Sequence, residues 1–275
     1  MSHLNASNDT TTCYGDGTCA DSPFLQRDVQ CNICGMRRLC LPVGLTNSEL
    51  VRAGTLLDTH AKLRKGEMLY RAGTPFTALY AVRFGSLKTT VLAEDGREQV
   101  AGYHMLGELI GLDGICTKTH GCNAVALEDT EICVMPFDML ERLARELPTL
   151  QHNLHQIMSN EIMRDHSVML LLGSMRAEER LATFLVNLSD RYWQRGYSST
   201  EFVLRMTREE IGSYLGLKLE TVSRLFSRFQ EDQLIHVQGR AIKITNIDAL
   251  RTLSGHQQLT ASRGKYNNSH FSPHE

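Results

Sequence analysis

A chain of 275 residues is long enough for two separately packed domains. With 42% hydrophobic and 22% charged residues it reads as a globular protein. No apolar run approaches the roughly 18 residues of a membrane span, and the polar first twenty residues lack the apolar stretch of a signal peptide, so the sequence predicts a cytoplasmic protein. A formal net charge of −2 excludes a general electrostatic pull toward nucleic acid, so any contact with DNA must come from a local surface, and eight cysteines in a reducing compartment point to metal or redox chemistry before disulfides.

Residues 1–25 are rich in Ser, Thr, Asn, Asp and Gly without apolar periodicity and are expected to be a mobile tail, in which Cys13 and Cys19 are spare thiols. A cysteine-rich segment follows at 26–57, with Cys31, Cys34 and Cys40 in the run CNICGMRRLC. Two cysteines at C-x2-C grip a metal from a tight turn, and a third closes the pocket. A zinc ribbon would want a second such pair, so three local thiols plus a distant fourth suit an iron–sulfur cubane better. Over 58–148, short β-prone runs (MLY at 68–70, LYAV at 79–82, LKTTVL at 87–92, the stretch around Val125, and 132–135) alternate with glycines, which predicts a small all-β roll or barrel.

Helical periodicity takes over after Pro136, and a single long helix is expected at 149–175. Leu154, Met158, Glu161, Asp165, Val168, Leu172 and Met175 recur at the 4-3 spacing of a coiled-coil seam, and with Ile162 they form the candidate dimerisation surface. Glu161 and Asp165 would each approach their own copy in a parallel dimer, which predicts conditional pairing; the other reading is an amphipathic helix lying on its own β-roll. Residues 176–255 open with the helix EERLATFLVNLSDRYWQRG. Thr207 and Glu210 then form a capping box that starts a helix near Arg208, and Gly216 supplies the left-handed turn before a second helix from about 219 to 229. That second helix carries Glu220, Ser223, Arg224 and Arg228, residue types that bond base edges in a major groove, and LIHVQGRAIKITN around Gly239 reads as a two-stranded wing. A second mobile tail is expected at 256–275. No nucleophile motif, Walker loop or dinucleotide fingerprint is present, and His104 and His120 read as surface residues, so no enzyme is expected.

These segments, above all MLLL at 169–172, AEERLATFLVNLS at 177–189 and MTREEIGSYLGLKLETVSRLFSRFQ at 206–230, resemble the CRP/FNR superfamily of bacterial transcription regulators, most closely its FNR-like, oxygen-sensing branch. The resemblance implies an α+β chain: an N-terminal β-roll sensor domain of cyclic-nucleotide-binding type, a long dimerisation helix and a C-terminal winged helix-turn-helix domain. It further implies that Cys133, in ICVMPF, joins Cys31, Cys34 and Cys40 in holding an oxygen-labile [4Fe–4S] cluster. The pattern E-T-x-S-R at 220–224 would read palindromic TTGAT-type half-sites as a homodimer acting with RNA polymerase. Relatives that bind cyclic AMP place an Arg-Ser pair where this chain has HGCNAVA at 120–126, so no cyclic nucleotide is expected. Arg97 stands after Gly96 where FNR-like proteins carry an acid, a departure at the usual polymerase contact.

Overall fold

The computed structural model describes residues 25–26, 31, 34, 38–57, 59–92 and 96–255. Of the expected tails, all but Leu25 lie outside these residues, as do Cys13 and Cys19. Leu25 belongs to a short strand, β1 (Leu25–Gln26), paired antiparallel with β2.

Helix α1 (Asn47–Leu57) starts where Thr46 accepts from the Glu49 amide and Glu49 reaches back to the Thr46 amide, a capping arrangement inside the cysteine-rich segment that the sequence reading did not pick out. The strands follow as β2 (Thr59–Leu63), β3 (Met68–Tyr70), β4 (Ala78–Phe84), β5 (Ser86–Leu92), β6 (Glu98–Met105) and β7 (Leu109–Ile110), then the short helix α2 (Gly114–Thr117), β8 (Asn123–Ala126) and β9 (Thr130–Pro136). They form a five-stranded sheet of order β1-β2-β9-β4-β7 and a four-stranded sheet of order β3-β8-β5-β6. Period-two alternation gives the larger sheet two buried faces. Val82 and Ile132 point into the roll, against Leu87, Ile110 and Ala124. Leu79, Ala81 and Met135 point the other way, against Leu50 and Ala53 of α1, Leu140 and Leu143 of α3 (Phe137–Glu146), and Leu150 and Leu154 of α4 (Pro148–Ser174).

Pro148 at the first position of α4 meets no lost hydrogen bond there, and its fixed φ starts the helix. The C-terminal domain continues with α5 (Ala177–Gln194), β10 (Glu201–Val203), α6 (Arg208–Leu215), α7 (Leu219–Glu231), β11 (Ile235–Gln238), β12 (Ala241–Ile244) and α8 (Ile247–Leu253). Its wing has three strands, β10-β12-β11, rather than two, because the three-residue EFV run is too short to register as a strand until Ile242 and Lys243 pair with it. Leu181, Leu185, Ile211, Val222, Phe226 and Phe229 fill its core, which also takes in Val100, Tyr103 and Leu127 of the roll.

The histidine expectation is overturned. His104 and His120 are 6% and 2% exposed: His104 Nε2 lies 3.2 Å from Thr89 Oγ1, and His120 stacks on Tyr70 with ring centroids 3.6 Å apart. Their flanking glycines read as turns, but strand pairing and aromatic packing carry both rings inward.

Candidate metal centre and nucleic-acid interface

Cys133 sits mid-strand in β9, opposite His60 on one side and Ala81 on the other. Alternation puts it on the helix-covered face with Ala81 and Met135, and there it packs in the same apolar cluster as Cys31 and Cys40. The Cys31 backbone lies against Gly54 of α1, and Cys40 opens a turn closed by the Val43 amide donating to the Cys40 carbonyl at 3.1 Å. Burial pushes the Cys40 thiol up to about 12, with Cys31 and Cys34 adding to the rise. Burial likewise raises Cys133, with Cys40, Cys31 and Cys34 contributing in turn. The structure thus brings the four cysteines into one electrostatic neighbourhood. Cys122 belongs elsewhere: it packs inside the roll, donates to Asp113 at 3.4 Å, and its neighbours are Asp113 and Tyr70. Cys116 is exposed on α2.

Among the described residues no three Cys, His, Asp or Glu side chains converge on a single metal ion. A cubane spreads its four thiolates further apart than one tetrahedral ion does, because each binds a different iron. The donor chemistry suits such a group: several half-buried thiolates held close together repel one another unless a cationic centre compensates them.

In the helix-turn-helix, Thr207 accepts from the Glu210 amide while Glu210 accepts from the Thr207 amide, as its spacing predicts. Gly216 has φ +63°, and a Cβ on Gly212 would stand 2.6 Å from the Leu217 carbonyl, so the tight turn needs both glycines. Val222, Leu225, Phe226 and Phe229 face the core, leaving Glu220, Ser223 and Arg224 open to solvent. Arg228 is exposed too, but it is ion-paired with Glu178 of α5 and lies 3.7 Å from Asp232.

The structure divides the candidate dimerisation residues. Leu154 is buried in the chain's own core, and Leu172 packs into the C-terminal core. Glu161 lies 3.5 Å from Arg164, and Val168 is half-buried. Met158, Ile162 (55% exposed) and Asp165 face outward, joined by Met169 (69% exposed). A 4-3 spacing fits a helix covering its own domains as well as a seam, so spacing alone could not separate the two faces.

Long-range polar contacts link these regions, and no local pattern announces them. Glu108 accepts from Arg191 at 2.6 Å and from Arg195 at 2.6 Å, with Arg164 of α4 at 3.7 Å. Arg180 donates to the carbonyls of Leu172, Met175 and Leu215, tying the end of α4 to the turn that follows α6. No helix is long and apolar enough to cross a membrane among the described residues.

The Crp-like helix-turn-helix domain family matches residues 179–253, and the cyclic nucleotide-binding domain family matches residues 60–146. The chain is 46% identical over 235 residues to the transcriptional regulatory protein btr of Bordetella pertussis, covering 86% of this chain and 97% of that one. It is 42% identical over 233 residues to the fumarate and nitrate reduction regulatory protein of Salmonella typhimurium, covering 85% and 93%. Among solved structures, FixK2 of Bradyrhizobium japonicum superposes with a TM-score of 0.66 at 32% identity, covering 70% of this chain and 96% of that one. With a roll of the cyclic nucleotide-binding domain family, a long helix and a Crp-like helix-turn-helix in this order, and relatives matched over nearly their full length, the chain belongs to the CRP/FNR superfamily of transcription regulators, close to FNR, and is not an enzyme.

Proposed function

We propose that this regulator is a cytoplasmic oxygen sensor that binds DNA as a homodimer while Cys31, Cys34, Cys40 and Cys133 hold a [4Fe–4S] cluster, and so controls anaerobic gene expression together with RNA polymerase. The observation that carries the reading is the convergence of Cys31 and Cys40 of the N-terminal segment with Cys133 of β9 in a single apolar cluster, with Cys34 near enough to act electrostatically on Cys40 and Cys133. When bound, such a cluster supplies an oxygen-labile crosslink between those segments. The chain's own residues do the rest. Cys31, Cys34 and Cys40 hold the N-terminal segment on the roll, and α1 and α4 shield it from water. The outward line of Met158, Ile162 and Met169 offers a partner helix an apolar face interrupted by Asp165. Two facing Asp165 carboxylates would repel by on the order of 1–4 kcal/mol at surface-like dielectric, which leaves the pairing within reach of a modest coupling.

Protein purified without oxygen is expected to be brown, to contain iron and sulfide, and to be dimeric, and to lose colour, dimer and operator binding together in air. Zinc without iron, or thiol oxidation that changes binding without iron, would instead identify a same-fold regulator with a structural zinc or a thiol switch.

On the DNA side, Glu220, Ser223 and Arg224 are the base-reading set for TTGAT-type half-sites, while Arg228 holds α7 to α5 through Glu178. Arg224→Ala should therefore lose about 1–3 kcal/mol of discrimination at one base pair of each half-site, whereas a phosphate contact would weaken all sequences alike. Binding to a panel of singly substituted operators decides between them, and a uniform loss across the panel would refute the assignment. Arg228→Ala should show that uniform loss.

A further inference from the structure

We propose that Asn153 is the positioning residue through which the cysteine-bearing segment sets the placement of α4, an inference that rests on the cluster reading above. Asn is an unfavourable residue inside a helix because its amide competes for backbone groups. Here it is 6% exposed, on the inward face of the helix whose outward face carries Met158, Ile162 and Asp165. Its side-chain nitrogen donates to the Leu41 carbonyl at 2.9 Å and to the Val43 carbonyl at 2.7 Å, so both amide protons are spent on one turn.

That turn begins at Cys40. It is closed by Val43 N–H to the Cys40 carbonyl at 3.1 Å and by Leu45 N–H to the Pro42 carbonyl at 3.3 Å, so a displacement of Cys40 carries both acceptors with it. Leu41 and Leu45 are buried beside Leu150 and Leu154, but apolar contacts are non-directional and tolerate sliding. A two-pronged hydrogen bond does not: it fixes the register of α4 against the turn. Withdrawing the carbonyls strands two buried amide protons, which is worse than never having formed the bonds. Release of Cys40 from a cluster is thereby converted into loss of the packed position of the first turns of α4, upstream of the pairing face.

The test uses the full chain, prepared without oxygen and either loaded with equal amounts of ferrous and ferric iron and with sulfide, or left metal-free. Parent, Asn153→Leu, Asn153→Ala and Asn153→Gln are compared by iron and sulfide content and by sedimentation. The variants are expected to take up iron and sulfide as the parent does. The ratio of dimer association constants, loaded over metal-free, should fall about tenfold in Asn153→Leu and Asn153→Ala, and Asn153→Gln, which keeps the amide, should recover part of it. Hydrogen exchange of residues 149–158 should then be as fast in loaded Asn153→Ala as in the metal-free parent. An unchanged ratio in the leucine and alanine variants overturns the proposal, because a residue that merely packs lowers both constants alike. Loss of iron uptake in those variants overturns it too, by making Asn153 part of the metal site's support. Should the leucine variant fail to unfold cooperatively, the alanine and glutamine variants decide. A parent whose self-association ignores iron and sulfide fails the cluster reading itself, and that failure is visible without any variant.

Discussion

Glu108→Ala should destabilise the chain by about 3–5 kcal/mol, the range for removing one partner from a buried charge network. Its carboxylate is the only acid within ion-pair reach of Arg191 and Arg195 among the described residues, and it also faces Arg164, which pairs with Glu161 as well and donates to the Tyr103 carbonyl. Burial alone would raise the Glu108 carboxyl, but Arg191, Arg164 and Arg195 outweigh it and hold the group far below the usual carboxylate range. The alanine variant therefore leaves arginine charge buried between the roll and α5. The control is Glu201→Ala, which breaks the open pair with Lys243, 58% exposed on both sides, and should shift stability by less than about 1 kcal/mol. Urea unfolding of both variants beside the parent measures the difference, and equal midpoints would mean the arginines are solvated after all.

The same network fixes the direction of the pH response. Burial first, then Arg164, pushes His104 down to about 3, so the unfolded chain binds a proton that the folded chain refuses between about pH 6.5 and 3. Stability should fall on acidification through that window, by about 1.4 kcal/mol per pH unit from this group. Below the ordinary glutamate range near pH 4.3, Glu108 adds to the fall, since its depressed carboxyl must be protonated as well.

The second large effect is at the cysteines. Cys133→Ser should leave the fold intact, because serine keeps the strand's small side chain beside Ala81, yet purified anaerobic protein should lose nearly all its iron and sulfide, and with them the dimer. Cys122→Ser and Cys116→Ser should keep the parent's iron. The contrast follows from where each thiol sits: Cys133, in β9, lies on the helix-covered side of its sheet with Cys31 and Cys40, whereas Cys122, in the bend before β8, packs in the roll beside Asp113 and Tyr70. A Cys133→Ser protein with full iron beside an iron-free Cys122→Ser protein would reverse the assignment.

What was legible in the sequence was what neighbours in the chain decide among themselves. The capping box at Thr207 and Glu210, the left-handed Gly216, the open Glu220, Ser223 and Arg224, and most strands of the roll depend on spacing within a few residues, so local propensity and apolar period sufficed. The C-x2-C-x5-C run was equally plain, but the choice of Cys133 leaned on the resemblance, because strand register alone settles which face a thiol occupies. Only the tertiary structure could separate the two faces of α4. The contacts that turn Leu154, Arg164 and Leu172 inward and leave Met158, Ile162 and Asp165 outward come from residues far away in sequence, including Leu41, Glu108 and the C-terminal core. The same holds for the burial of His104 and His120, for the arginines gathered on Glu108 and for the grip of Asn153 on the turn after Cys40. In each, the partners are distant in the chain, from 15 residues for Thr89 and His104 to 112 for Leu41 and Asn153, and their pairing is set by how sheets and helices pack rather than by any pattern along the chain.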